Sequence, residues 1–163
     1  MRNKIYGAGE FVLNISANNI FLDHELIEQK NIDLNNMQQS CVRYVTRYAG
    51  VALAMTSNDL QTGTKRVGIA SFMQNGFNAK RSADVMIQLQ PGWINWSSKT
   101  GTTHGSAYRY DTHVPLIFYG KNISQGRSHV QVSVFDIAPT ICTLLNIEFP
   151  NGSIGHPLED LTK

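Results

Sequence analysis

Before Gly92 the spacing of apolar residues switches period several times, and from Trp93 to Tyr110 the pattern stops. That order of periods limits the fold more than any other feature of the chain. Phe11 to Ile15 and Ile20 to Leu22 are short runs with strand character, and Ser16-Ala17-Asn18-Asn19 between them supplies residues that tolerate left-handed backbone angles. A hairpin is therefore expected first. Asp33 then stands where a helix N-cap would stand. Leu34, Met37, Cys41, Tyr44, Val45 and Tyr48 follow at helical spacing, with Gly50 as the stop. Val51 to Thr56 reads as a buried strand. Thr64 to Gly76 reads as a second helix with Val67, Ala70, Met73 and Phe77 on one side. Val85, Ile87 and Leu89 alternate as a strand that ends at Pro91-Gly92. Two strands, a helix, a strand, a helix and a strand predict an open α+β layer over residues 1–92.

Beyond Gly92 the character changes. Trp93 to Tyr110 is rich in Gly, Ser and Thr and has no periodicity, which predicts a long loop of the kind that carries function. Val114 to Tyr119 reads as a strand, and Val130, Val132 and Val134 as another short one. Asp136 and Pro139 mark the first turn of a last helix carrying Ile137, Ile141, Leu144 and Leu145. Asn151-Gly152 and Gly155 to Leu158 form a turn-rich tail.

Composition removes several function classes. The chain has 163 residues, 42% hydrophobic and 16% charged, enough for one domain or one substantial piece of a larger one, with a real core. With 14 basic and 12 acidic residues the net charge is +2, and the basic residues form no stripe, so no nucleic acid polymer is expected as a partner. No apolar run reaches membrane-span length, and the residues after Met1-Arg2-Asn3-Lys4 do not read as a signal peptide. Cys41 and Cys142 each fall in an apolar helical pattern, which predicts buried free thiols. Two cysteines give no framework that would assign a disulfide.

Ordinary metal and phosphate motifs are missing. His24, His104, His113, His129 and His156 form no His-x-x-x-His pair, the cysteines lack zinc spacing, and Gly63-Thr64-Lys65 lacks the upstream glycine of a phosphate loop. One stretch stands out: Gly101-Thr102-Thr103-His104-Gly105-Ser106. An imidazole between small residues is sterically open to a metal or a phosphate. Asp111, His113 and Pro115 follow, leading into an apolar segment that would hold the loop rigidly.

Gly101 to Gly105, followed by Tyr110-Asp111-Thr112-His113-Val114-Pro115-Leu116-Ile117-Phe118-Tyr119-Gly120, resembles the C-terminal signature of the alkaline phosphatase superfamily. The likeness is to its bacterial threonine-nucleophile phosphatases and to the nucleotide pyrophosphatase/phosphodiesterases. Asn78 to Asp84, Pro91-Gly92-Trp93, Asp136 to Thr140 and Asn151 to Leu158 extend the resemblance over most of the chain. It implies an α/β parent fold in which residues 1–92 form a smaller α+β layer. Residues 93–163 would supply the C-terminal strand-helix part of the catalytic domain. It also implies a phosphate-ester hydrolase with two zinc ions and a phospho-Thr or phospho-Ser intermediate, acting on small phosphate esters and exported to the periplasm or the cell surface. His104 matches the family's zinc-ligand histidine. No other position here matches a ligand or the nucleophile, so the chain is expected to be an inactive portion of such an enzyme.

Several residues have plainer readings. Asp23-His24 lies outside the small-residue context of the family's Asp-His pair and reads as surface. Asp111 and His113 are expected to hydrogen-bond the loop backbone, with a ligand role for His113 as the alternative. Thr102 and Thr103 are expected to cap or brace the loop rather than act as nucleophiles, and Trp93 and Trp96 to pack it, with lining of a substrate cleft as the alternative. His129 and His156 read as surface or tail. Unpaired sheet edges predict self-association of the chain alone. The rival class is a stand-alone, non-catalytic protein-binding module built on the same fold.

Overall fold

In the computed structural model, residues 9–64, 67–95 and 100–162 are described; Trp96 lies outside them. They divide into two compact units, one ending at Val114 and the other beginning at Pro115.

The first unit is built on an antiparallel sheet of order β1-β2-β4-β3, from strands β1 (Val12–Ser16), β2 (Asn19–Leu22), β3 (Val51–Thr56) and β4 (Val85–Leu89). The expected hairpin forms. Its turn holds Ala17 at φ 47° and Asn18 at φ 62°, the paired left-handed angles that match strand twist in a two-residue hairpin. Val85 of β4 pairs with Ile20 on one side and Thr56 on the other.

Both faces of the sheet are covered. On one, Ile20, Leu22, Ala54 and Val85 meet Ile27 of helix α1 (His24–Gln29) and Met37 and Cys41 of helix α2 (Leu34–Val45). On the other, Met55, with Leu53 and Met86 beside it, meets Leu60 of helix α3 (Ser57–Thr62) and Met73 of helix α4 (Ile69–Gly76). Neighbouring residues of β3 and β4 alternate between the two cores because strand side chains alternate faces.

Local chemistry sets the helix ends. Asp33 caps α2 as expected, accepting from Asn36 N at 2.8 Å. Asp23 caps α1 in the same way through Leu26 N. The helix expected over Thr64 to Gly76 is present only as the shorter α4, and α3, which was not expected, lies before it. Thr56 and Asp59 form a reciprocal capping box that starts α3 directly from β3. Gly68, at φ 62°, cannot continue a helix, so α4 begins after it and leaves Val67 exposed. Residues 65 and 66 of the expected helix lie outside the described residues.

The second unit is centred on helix α6 (Ile137–Leu145), preceded by a 3-10 turn at Val134–Asp136. The expected last helix is thus present, with Pro139 in its first turn where a missing N–H costs nothing. The expected strands at Val114 to Tyr119 and Val130 to Val134 do not form among the described residues. A strand needs a neighbour for its N–H and C=O groups, and among the described residues these segments pair with none. Ile117 is 81% exposed, Tyr119 100% and Val130 71%. The tail folds back on α6 instead. His156 N donates to Asp136 Oδ1 at 2.9 Å, and Leu158 N to the buried Thr140 Oγ1 at 2.9 Å. Gly155 lies so close to the Phe135 carbonyl that a β-carbon there would collide with backbone.

Candidate functional site

The His104 loop hangs from the end of β4. Gly92, at φ 75°, turns the chain out of that strand, and Trp93 then packs over the backbone of Gly50. Gly50, at φ 87°, is needed twice: for its left-handed angle and because a β-carbon would enter the Trp93 ring. This is the packing role expected of Trp93.

Residues 100–105 adopt no regular structure, and Thr102, Thr103 and His104 are exposed. Gly101, at φ 138°, and Gly105, at φ 114°, flank the stretch with angles that L side chains rarely adopt. The imidazole of His104 is presented to solvent. Thr103 Oγ1 donates to the His104 carbonyl at 3.3 Å, a bracing contact.

After His104 the chain is tied down tightly. Asp111 Oδ2 accepts from Ser106 N at 2.8 Å and also from the Ser106 hydroxyl. These two bonds, more than any other influence, hold the Asp111 carboxyl below the usual carboxylate range, and the nearby His104 acts in the same direction. Asp111 lies in the short helix α5 (Arg109–Thr112), and His113 closes that helix with its N–H on Arg109 O. Asp111 therefore braces the loop backbone as expected. Two tyrosines anchor the same turn to the strand: Tyr108 donates its hydroxyl to Leu89 O at 2.8 Å, and Tyr110 Oη accepts from Gly92 N at 3.2 Å. Their rings stack 5.7 Å apart.

The sheet carries a second polar cluster that the sequence reading did not assemble. Asp84 is buried and accepts from Leu22 N at 2.8 Å, from Gln38 Nε2 at 2.9 Å and pairs with His24 Nε2 at 2.7 Å. Gln38 also donates to Ser57 Oγ at 2.9 Å, while its buried Oε1 has no hydrogen-bond partner among the described residues. Asp23 and His24 are thus at the surface, as expected, but one caps a helix and the other binds a buried carboxylate. The cluster joins residues 62 positions apart in sequence, which no local pattern reveals. Burial, then the charge of Asp84, push the Cys41 thiol up. Cys41 and Cys142 are both free and buried.

Among the described residues no three His, Cys, Asp or Glu side chains come together to hold a metal. His104 is open enough to serve as one donor, but a zinc site needs three or four. Nor do the residues of the His104 loop line the cavity of about 280 Å³ bounded by His24, Ile27, Glu28, Ile32 and Leu34. No described helix is long and apolar enough to cross a membrane.

No protein-family model matches the chain. Curated proteins do. It is 30% identical over 156 residues to alkaline phosphatase PafA of Elizabethkingia meningoseptica, covering 96% of this chain and 29% of that protein. It is 34% identical over 149 residues to alkaline phosphatase PhoV of Synechococcus elongatus, covering 91% of this chain and 27% of that one. A Myroides odoratus protein named calcium-transporting ATPase is 32% identical over 156 residues, covering 95% of this chain and 28% of its own. In structure the chain matches crystalline wild-type PafA with a TM-score of 0.86 at 29% identity, over 97% of this chain and 30% of that one. The protein is thus homologous, in sequence and fold, to one segment of the enzymes of the alkaline phosphatase superfamily. It spans under a third of the length of the curated relatives it matches.

Proposed function

We propose that this chain is a portion of a zinc-dependent phosphate-ester hydrolase, to which it contributes His104 as one metal ligand. The observation that carries the reading is the exposed His104 imidazole, held between two glycines and braced by Asp111, in a chain similar to alkaline phosphatases over nearly its whole length. Bound zinc would polarise the phosphoryl group of the substrate. What this chain's own residues do is narrower: they present one imidazole and fix the backbone that follows it. The nucleophile, a Thr or Ser that becomes phosphorylated, and the other ligands come from polypeptide outside this chain. So does the choice between phosphate monoesters and diesters. The names of PafA and PhoV favour a phosphatase.

In this reading residues 1–92 are a smaller layer and residues 93–163 belong to the catalytic domain. The apolar segments at Val114 to Tyr119 and Val130 to Val134 pair with that additional polypeptide. Alone, the chain is inactive and self-associates through those segments, which light scattering at high concentration would register. The whole enzyme works in the periplasm or outside the cell, which fractionation with an export marker checks.

The test is His104→Ala in the longer protein. Loss of one bound zinc per chain, with a fall in turnover of at least about a hundredfold, is expected. Unchanged zinc content and turnover would sink the reading.

A further inference from the structure

We propose that Asp111 is a positioning residue that holds His104 in place by fastening Ser106, two residues after it. The proposal rests on the reading of His104 given above and adds what makes that imidazole usable.

A side chain between Gly101 and Gly105 has no rigidity of its own. Both glycines sit at left-handed angles, and nothing lies within 4 Å of the place a β-carbon would occupy at Gly105. The backbone there is free to swing unless it is pinned from outside the loop. Asp111 supplies the pin. One carboxylate oxygen takes both the N–H and the hydroxyl of Ser106, which fixes the peptide joining Gly105 to Ser106 in two directions. Bonds to a charged acceptor are the stronger kind.

The pin is itself anchored. Tyr108 and Tyr110 flank Arg109 and reach back to Leu89 and Gly92 at the end of β4. Rigidity therefore passes from the sheet through the tyrosines to α5, and through Asp111 to the residues beside His104. Catalytic geometry tolerates little displacement: a shift of about 1 Å can lower a rate about a hundredfold.

The experiment uses the longer protein with the variants Asp111→Ala, Asp111→Asn, Ser106→Ala and His104→Ala. Two readouts are taken: kcat/KM, and amide exchange of residues 101–106 in metal-free protein. Asp111→Ala should lower kcat/KM by about tenfold to a hundredfold. It should also speed exchange at Ser106 by about tenfold, the loss of one charge-assisted bond. Asp111→Asn keeps an oxygen for the Ser106 N–H and should recover much of both. Ser106→Ala removes the hydroxyl bond to Asp111 and the 3.4 Å bond the hydroxyl accepts from Tyr108 N, leaves the Ser106 N–H bond to Asp111, and should move both readouts the same way by less. It also carries the test if Asp111→Ala does not fold. Unchanged exchange would overturn the proposal. So would faster exchange with kcat/KM within twofold of the parent while His104→Ala is inactive, since Asp111 would then be structural only. An active His104→Ala is a different result: it removes the function proposed for His104, and with it the reason to position that residue.

Discussion

The two units of the chain carry similar apolar residues and treat them in opposite ways. In the first, the sheet is sandwiched between two pairs of helices, and Leu22, Met37, Leu60 and Val85 are all buried. In the second, Ile117, Tyr119, Val130, Val134 and Leu145 are exposed. Burial of apolar surface is the main term that stabilises a fold. The first unit thus has within itself what it needs to fold, and the second has little beyond α6 and the tail clasped to it. The difference teaches that an apolar run is a statement about partners. Val51 to Thr56 finds its partner in β4, within the chain; Val114 to Tyr119 finds no strand partner among the described residues.

The sharpest way to break this contrast is to damage the first core. Met37→Ala should destabilise the first unit by about 2–5 kcal/mol, read by denaturant unfolding. A much smaller loss would mean the core is looser than its burial implies. Asp84→Ala should cost about 3 kcal/mol, because Leu22 N and the Gln38 amide lose a buried acceptor. Asp84→Asn should cost less. Thr56→Ala, which removes the hydroxyl half of the capping box at α3, should cost about 1 kcal/mol.

The second unit should respond to pH. Backbone bonds from His156 and Ser133 hold the Asp136 carboxyl below the usual carboxylate range. A depressed carboxyl stabilises the fold above its ordinary titration range, and that contribution is lost as pH falls through the lowered value. The tail clasp should therefore open below about pH 4, with faster exchange of the His156 amide and little change at Val85. The smallest effect sharpens the contrast furthest. Ile117→Ser should shift the stability of this chain by under about 0.5 kcal/mol, since the side chain is exposed. In the longer protein the same change should cost about 2 kcal/mol if the segment is covered there.

How much was legible in the sequence follows the same division. The hairpin, the Asp33 cap, β3, β4 and α6 come from signals a few residues long, and all are present. Helix α3 went unread because its capping box uses Asp59 where Glu or Gln is the usual signal. Helix α1 is only six residues long, too short to establish a period, although Asp23 before Leu26 and Ile27 was a usable hint. The strands expected after Val114 failed because their patterns describe a buried environment that this chain does not provide. In the site, the small residues around His104 made the loop visible. The tie between Asp111 and Ser106 was legible only as a general expectation of bracing, and the anchoring tyrosines not at all, because their partners lie 18 and 19 residues away.

The most direct test of the account is amide exchange across residues 114–119, measured in this chain alone and in the longer protein. The account predicts fast, unprotected exchange in the chain alone and strong protection in the longer protein, where additional polypeptide would pair with the segment. Equal exchange in both would contradict it: the exposed apolar residues would then need no partner, and the second unit would not be part of a larger catalytic fold.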